Sequence, residues 1–122
     1  MGYGVDRTRG VVLVDGPDPA ERVIAANDRA AIRIGIDAVS GAATGRLADC
    51  LCESATLVSH GRISGEPCAV QPGACVIRDQ TPRGFWLVNW FRRTPEHQRR
   101  ALVDEMPNSS HLGAARTDPR HP

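Results

Sequence analysis

Four cysteines and a histidine are the first residues of this chain whose chemistry needs an account. Cys50, Cys52, Cys68 and Cys75 follow the pattern C-x-C-x15-C-x6-C. A structural zinc site wants two closely spaced cysteine knuckles or histidine partners, and this spacing supplies neither. Cys50 and Cys52 also fall in a segment with helical periodicity, where side chains two positions apart diverge. The expectation is therefore no metal site, with the thiols reduced and structural. His60 has the imidazole of a general acid or base. No motif sets a Ser, Cys or carboxylate to work with it, so no catalytic residue is assigned.

The turns that follow apolar runs offer a different chemistry. From Ile32 to Gly61 an apolar strand ends in a Gly-containing turn, an amphipathic helix follows, and a second apolar strand ends in another Gly turn. That is a βαβ unit of the kind that binds nucleotides beyond the C-terminal ends of its strands. Neither GxGxxG nor GxxxxGK[ST] occurs in the sequence, so the loop that would cradle a pyrophosphate is not in it. The sequence reads as part of a nucleotide-binding domain rather than the whole of one.

The elements that must position these turns can be read from pattern. Val11–Val14 is a short, fully apolar strand, as expected in a parallel sheet covered on both faces. Asp18 then caps a helix with Pro19 at its first position, running to about Ala26. A second strand spans about Ile32 to Val39. A helix over Gly45–Glu53, capped by Thr44, places Leu47, Cys50, Leu51 and Ser54 on one face. Ala55–Ser59 is a third strand. Residues 61–82 read as an irregular excursion punctuated by Gly65, Pro67, Pro72 and Gly73, with short strand pieces at Cys68–Val70 and Cys75–Ile77. Gly84–Phe91, GFWLVNWF, is a fourth, aromatic strand. Thr94 caps a last helix with Pro95 at its first position, ended by Pro107. The order β-α-β-α-β-loop-β-α implies a parallel α/β layout. It also implies an N-terminal extension over 1–10, one domain over 11–106 and a disordered tail over 107–122.

Composition excludes several function classes. The 122 residues carry a net charge of +1 with both signs interspersed, so there is no nucleic-acid footprint. All fifteen basic residues are Arg, which reads as genomic base composition rather than as phosphate recognition. No apolar run reaches the length of a membrane span, and the first residues lack a secretory apolar core. A cytoplasmic protein is expected.

Three segments in this order and spacing carry a resemblance: IGIDAVSG (Ile34–Gly41), LVSHGRISGEP (Leu57–Pro67) and RGFWLVNWF (Arg83–Phe91). Together they resemble the C-terminal part of the cofactor domain of medium-chain dehydrogenase/reductases, nearest the zinc-independent quinone reductases and 2-enoyl thioester reductases. That branch has a strand ending in D-x-V-G-G, a later one ending in Y-G-x-x-S-G-x-P, and a further one beginning R-G-F-W-L. The resemblance covers about Val11 to Met106. It implies a partial Rossmann-type parallel sheet with flanking helices, equivalent to strands three to six of the order 3-2-1-4-5-6. Strands one and two and the Gly-rich loop are absent from it. The third-strand equivalent would then lack its neighbours, and the fourth would expose an open apolar edge.

The resemblance further implies NADP as cofactor, and an NADPH-dependent reduction of a quinone or enoyl thioester in the complete family. The nicotinamide wall would be Val39, Ser40 and Gly41, then Ser59, His60 and Gly61, then Gly84, Phe85, Trp86 and Leu87. Ser40 stands where the family has its first Gly, and His60 where a Tyr is common. Ordinary turns and core packing account for the same residues equally well. A homodimer through the Gly84–Phe91 strand edge is the partner implied. The alternative function is a catalytically inactive remnant acting as an interaction or oligomerisation module.

Overall fold

The structure, a computed structural model, describes residues 10–106. The expected tail over 107–122 and most of the N-terminal extension lie outside the described residues. These divide into two compact units, one over Gly16–Leu87 and one formed by residues 10–15 with 88–106.

The first unit is built on a helix α1 (Pro19–Ala26), strand β1 (Ile34–Asp37), helix α2 (Ala42–Cys50), strand β2 (Thr56–Ser59), helix α3 (Pro72–Val76) and strand β3 (Thr81–Gly84). The strands form one sheet in the order β1-β2-β3, and both pairings are parallel. Crossovers between parallel neighbours are long, and each here contains a helix. The expected parallel arrangement is thus present, with two of its three strands where the apolar runs place them.

The third strand is not. Gly84–Phe91 is not a strand: β3 lies just before it, and α4 (Leu87–Arg93) takes up most of the aromatic run. β3 has the sequence TPRG, whose Pro82 and Gly84 read as breakers. Pro82 is tolerated because β3 is an edge. Thr81 and Phe85 donate their N–H groups to Ala55 and Ser59, so alternation turns position 82 to the free side. A short apolar run carries no decisive period, and Leu87 and Phe91 satisfy helical spacing as well as strand spacing.

Val11–Val14 is also not a strand. Val12 and Val14 are more than half exposed. An apolar tetrapeptide becomes a strand only beside a partner, and among the described residues the sheet is β1-β2-β3 alone. The excursion over 61–82 holds α3 instead of two strand pieces. Pro72 opens that helix and Ala74 is buried.

The core is small: Ala48, Leu51, Ala55, Leu57 and Ala74, with Ile32, Leu47, Cys52 and Val70 packed against it. α2 lies across β1 so closely that a Cβ on Gly35 would meet Leu51 Cδ1 at 2.9 Å. Of the face expected for this helix, Leu51 is buried, Leu47 and Cys50 are half-buried and Ser54 is exposed. The helix begins and ends three residues earlier than its pattern suggests, with Thr44 inside it rather than capping it. Its C-terminal carbonyls are tied off from beyond α3. The Gln80 amide donates to Ala48 and Leu51 oxygens at 3.0 and 3.2 Å, and the Arg78 guanidinium also donates to Leu51.

In the second unit α4 is followed by α5 (Glu96–Glu105). Pro95 caps α5, one residue later than expected. Trp90 and Phe91 meet edge to face at 5.2 Å, and the Arg99 guanidinium lies 5.5 Å from the Phe91 ring centre. Glu96 and Arg100 pair at 2.8 Å on the exposed side of α5.

Candidate functional site at the strand ends

In the sheet register Asp37 stands beside Ser59, and Ser59 beside Gly84. The three strands therefore end level, and the turns that follow them emerge from one edge of the sheet. This is the edge at which doubly wound sheets bind their ligands. Residues 39–41, 59–61 and 84–87, far apart in the sequence, are brought to this row.

The turn after β1 is held from within by Asp37, which is buried. Its Oδ1 accepts N–H bonds from Val39 at 2.9 Å and Ser40 at 3.2 Å. Its Oδ2 accepts the Thr44 hydroxyl at 2.6 Å. Burial alone would push the Asp37 carboxyl up. The Thr44 hydroxyl, the two N–H donors and the charge of nearby His60 outweigh it and hold the group below its ordinary value. Asp37 is thus a buried carboxylate that shapes the turn, and it was not among the residues singled out from the sequence. Its signal is present in part: an Asp at the end of an apolar strand, three residues before a Ser-Gly pair.

Ser40 and Gly41 both have positive φ, 69° and 65°, which lets the chain turn from strand to helix within residues 38–41. Ser40 does not offer its side chain to solvent. It is buried, and its hydroxyl lies 2.7 Å from that of Ser64. Ser64 in turn donates its N–H to Val39 O at 2.8 Å and accepts the Glu66 N–H at 3.1 Å. Ile63 N–H reaches Ala38 O, and Ala69 N–H reaches Gly41 O. The loop after β2 is therefore strapped across the turn after β1. Two glycines permit it. A Cβ on Gly61 would sit 2.6 Å from Ala38 O, and one on Gly45 would run into the Ala69 carbonyl oxygen.

His60 is exposed, and its own N–H donates to Asp37 O at 2.9 Å. Ser59 is half-buried, with its hydroxyl 3.9 Å from the Cys68 thiol. Val39, Phe85, Trp86 and Leu87 expose 41%, 42%, 62% and 54% of their surface, which makes the row apolar at both ends. Such a surface can hold a planar ring against backbone groups. Among the described residues no three His, Cys, Asp or Glu side chains gather as a metal site, and all four cysteines are free thiols.

The three-stranded parallel sheet with its flanking helices is Rossmann-like, and comparison with known proteins says what it is similar to. No family model matches the chain. The mitochondrial enoyl-[acyl-carrier-protein] reductase of Dictyostelium discoideum is 29% identical over 72 residues, covering 59% of this chain and 21% of that protein. Among solved structures, an Etr1p complex with NADP and crotonyl-CoA and the mitochondrial 2-enoyl thioester reductase Etr1p/Etr2p heterodimer from Candida tropicalis each match with a TM-score of 0.63. Each is 14% identical and covers 73% of this chain and 25% of the other. A protein designated an NADPH:quinone reductase from Mesorhizobium loti matches with a TM-score of 0.56 at 25% identity, over 73% of this chain and 26% of its own. The chain thus spans about a fifth to a quarter of the length of the proteins it matches. Its resemblance is to the medium-chain dehydrogenase/reductase superfamily, in the enoyl thioester and quinone reductase branch, as its motifs indicate. Among the described residues no helix is long and apolar enough to cross a membrane.

Proposed function

We propose that this chain is a fragment of an NADPH-dependent oxidoreductase of the medium-chain type, contributing the nicotinamide side of the cofactor pocket. In the complete assembly a hydride would pass from NADPH to an enoyl thioester or a quinone. The observation that supports this reading is the level row Asp37–Ser59–Gly84, whose turns carry the family-like motifs. Backbone groups of Val39–Gly41, Ser59–Gly61 and Gly84–Leu87 would line the nicotinamide, with Phe85 and Trp86 giving an apolar wall. Asp37 and the Ser40–Ser64 strap would fix the turn rather than react. No residue is assigned a proton-transfer role. A cytoplasmic location, one partial Rossmann domain over 11–106 and a homodimer contact on the Thr81–Gly84 side of the sheet, next to Phe85, Trp86 and Leu87, belong to the same proposal.

A second reading is favoured by the uncovered sheet. Ile34 and Ile36 are about two-thirds exposed, which suits an inactive remnant kept as an interaction module. Cofactor binding separates the two. Titration of the chain with NADPH, followed by the fluorescence of Trp86 and Trp90, should show a change that sets in only at millimolar concentration or above on the first reading. No change at any concentration leaves the second.

A further inference from the structure

The second unit holds a groove along one side of α5, closed at its flank by Phe91 of α4. Its volume is about 370 Å³, and Phe91, Glu96, Arg99, Arg100, Val103 and Asp104 border it. All six residues belong to this unit. Phe91 and Val103 are exposed and give the groove its apolar surface.

The charges around the groove are unevenly matched. Glu96 is paired with Arg100 at 2.8 Å, one turn along α5. Arg99 is half-buried and has no carboxylate partner among the described residues. Its guanidinium lies 5.5 Å from the centre of the Phe91 ring, and its Nε is closed off from solvent without an acceptor. The ring attracts the cation but accepts no hydrogen bond from the edge of the fork. Packing against Phe91 holds that fork in one orientation, so little side-chain freedom is lost when an anion docks on it.

The geometry points to a binding site for a small aromatic carboxylate in this groove. The carboxylate accepts end-on from the two Nη groups of Arg99, a bidentate match of two planar groups. Its ring covers Val103, one turn on from Arg99, and the open part of Phe91, which takes apolar surface out of water. A bare anion such as acetate gains the fork but leaves both side chains wet. The volume suits one ring with a short substituent, near the low end for small-ligand sites. Asp104 opposes an anion here, whereas Glu96 is neutralised by Arg100. The inference does not depend on the cofactor-pocket reading, whose residues lie before α5.

The test is a titration of the full chain with benzoate. Benzamide keeps the ring without the charge, and acetate keeps the charge without the ring. Nuclear magnetic resonance follows the Arg99 Nε–H signal and the side chains of Phe91 and Val103. Benzoate should shift all three, with a Kd of about 1–10 mM for a ligand of its size. Benzamide and acetate should each bind at least about fivefold more weakly. Arg99→Lys, which keeps the charge but not the fork, should weaken benzoate by at least about fivefold. Asp104→Asn should tighten it about twofold, because a like charge in the groove is removed. Arg62→Gln, at an exposed arginine of the first unit, should leave it unchanged. Benzamide binding as well as benzoate, Arg99→Lys binding like the parent, shifts that map away from Phe91 and Val103, or no binding up to about 50 mM would overturn the inference.

Discussion

The Thr44 hydroxyl donates to Asp37 Oδ2 at 2.6 Å, joining the first turn of α2 to the last residue of β1. The two residues are seven apart, and the turn between them contains the positive φ angles of Ser40 and Gly41. One carboxylate therefore sets where the strand stops, where the helix starts and how the intervening backbone is aimed.

Replacing Asp37 by Asn should cost about 2 kcal/mol, since a buried charge-assisted acceptor with three donors is lost. The pH dependence follows from the lowered folded-state value. The unfolded group titrates near its ordinary 3.8, and the folded group below that. The stabilisation is present above the unfolded value and is lost as pH falls through the folded one. Urea midpoints measured between pH 7 and pH 3 should fall less steeply in Asp37→Asn than in the parent. An equal slope in both would remove Asp37 from this role.

Gly61→Ala and Gly45→Ala should each destabilise the first unit by about 1–3 kcal/mol, because the new methyl meets a backbone carbonyl that cannot move aside. Gly73→Ala is the comparison. Its nearest neighbour would be Ile77 Cδ1 at 3.9 Å, an ordinary contact, and it sits in a helix. Thermal unfolding of the three variants should rank Gly73→Ala as the mildest.

Gln80→Ala should also destabilise, by roughly 2 kcal/mol, with its effect concentrated at the end of α2. The Gln80 amide is buried; it donates to the Leu51 carbonyl and shares the Ala48 carbonyl with the Leu51 N–H, at the end of the helix where carbonyls run short of backbone donors. Hydrogen exchange should quicken over residues 48–52 more than over 42–45. A uniform change along α2 would argue that Gln80 acts through packing alone.

How far the sequence led depended on which force shaped each segment. α1, β1 and β2 follow from apolar runs bounded by Pro, Asp and Gly, so local pattern and tertiary structure agree. β3 was hidden because Thr81-Pro82-Arg83-Gly84 has no buried side chain, and its strand character comes from the ladder with β2 alone. The aromatic run after it was misassigned because apolar content without a clear period fits strand and helix alike. The three turn clusters could be named from motifs, but Asp37 could not. Its role needs Thr44 on the next helix and two positive φ angles, and neither is visible in a pattern of types. Ser40 shows the reverse: it stands where the resemblance has a Gly, yet it takes the positive φ and its hydroxyl lies 2.7 Å from that of Ser64.

NADPH binding by this chain should be weak, with Kd in the millimolar range or higher. The pyrophosphate of a dinucleotide is held by backbone N–H groups of a Gly-rich loop and the N-terminus of the helix after it. The sequence has no such loop. Forgoing even about 4 kcal/mol of that anchorage weakens binding roughly a thousandfold. What remains at Val39–Gly41, Ser59–Gly61 and Gly84–Leu87 is an apolar row with fixed backbone, which orients a ring more than it retains a charged ligand. Nicotinamide mononucleotide, one phosphate and no adenosine, should therefore bind this chain within about tenfold of NADPH, whereas an intact dinucleotide site separates the two by far more. Calorimetry with both ligands reads the ratio. Micromolar NADPH binding, or a large preference for it over the mononucleotide, would mean that the chain holds a phosphate site outside these three turns.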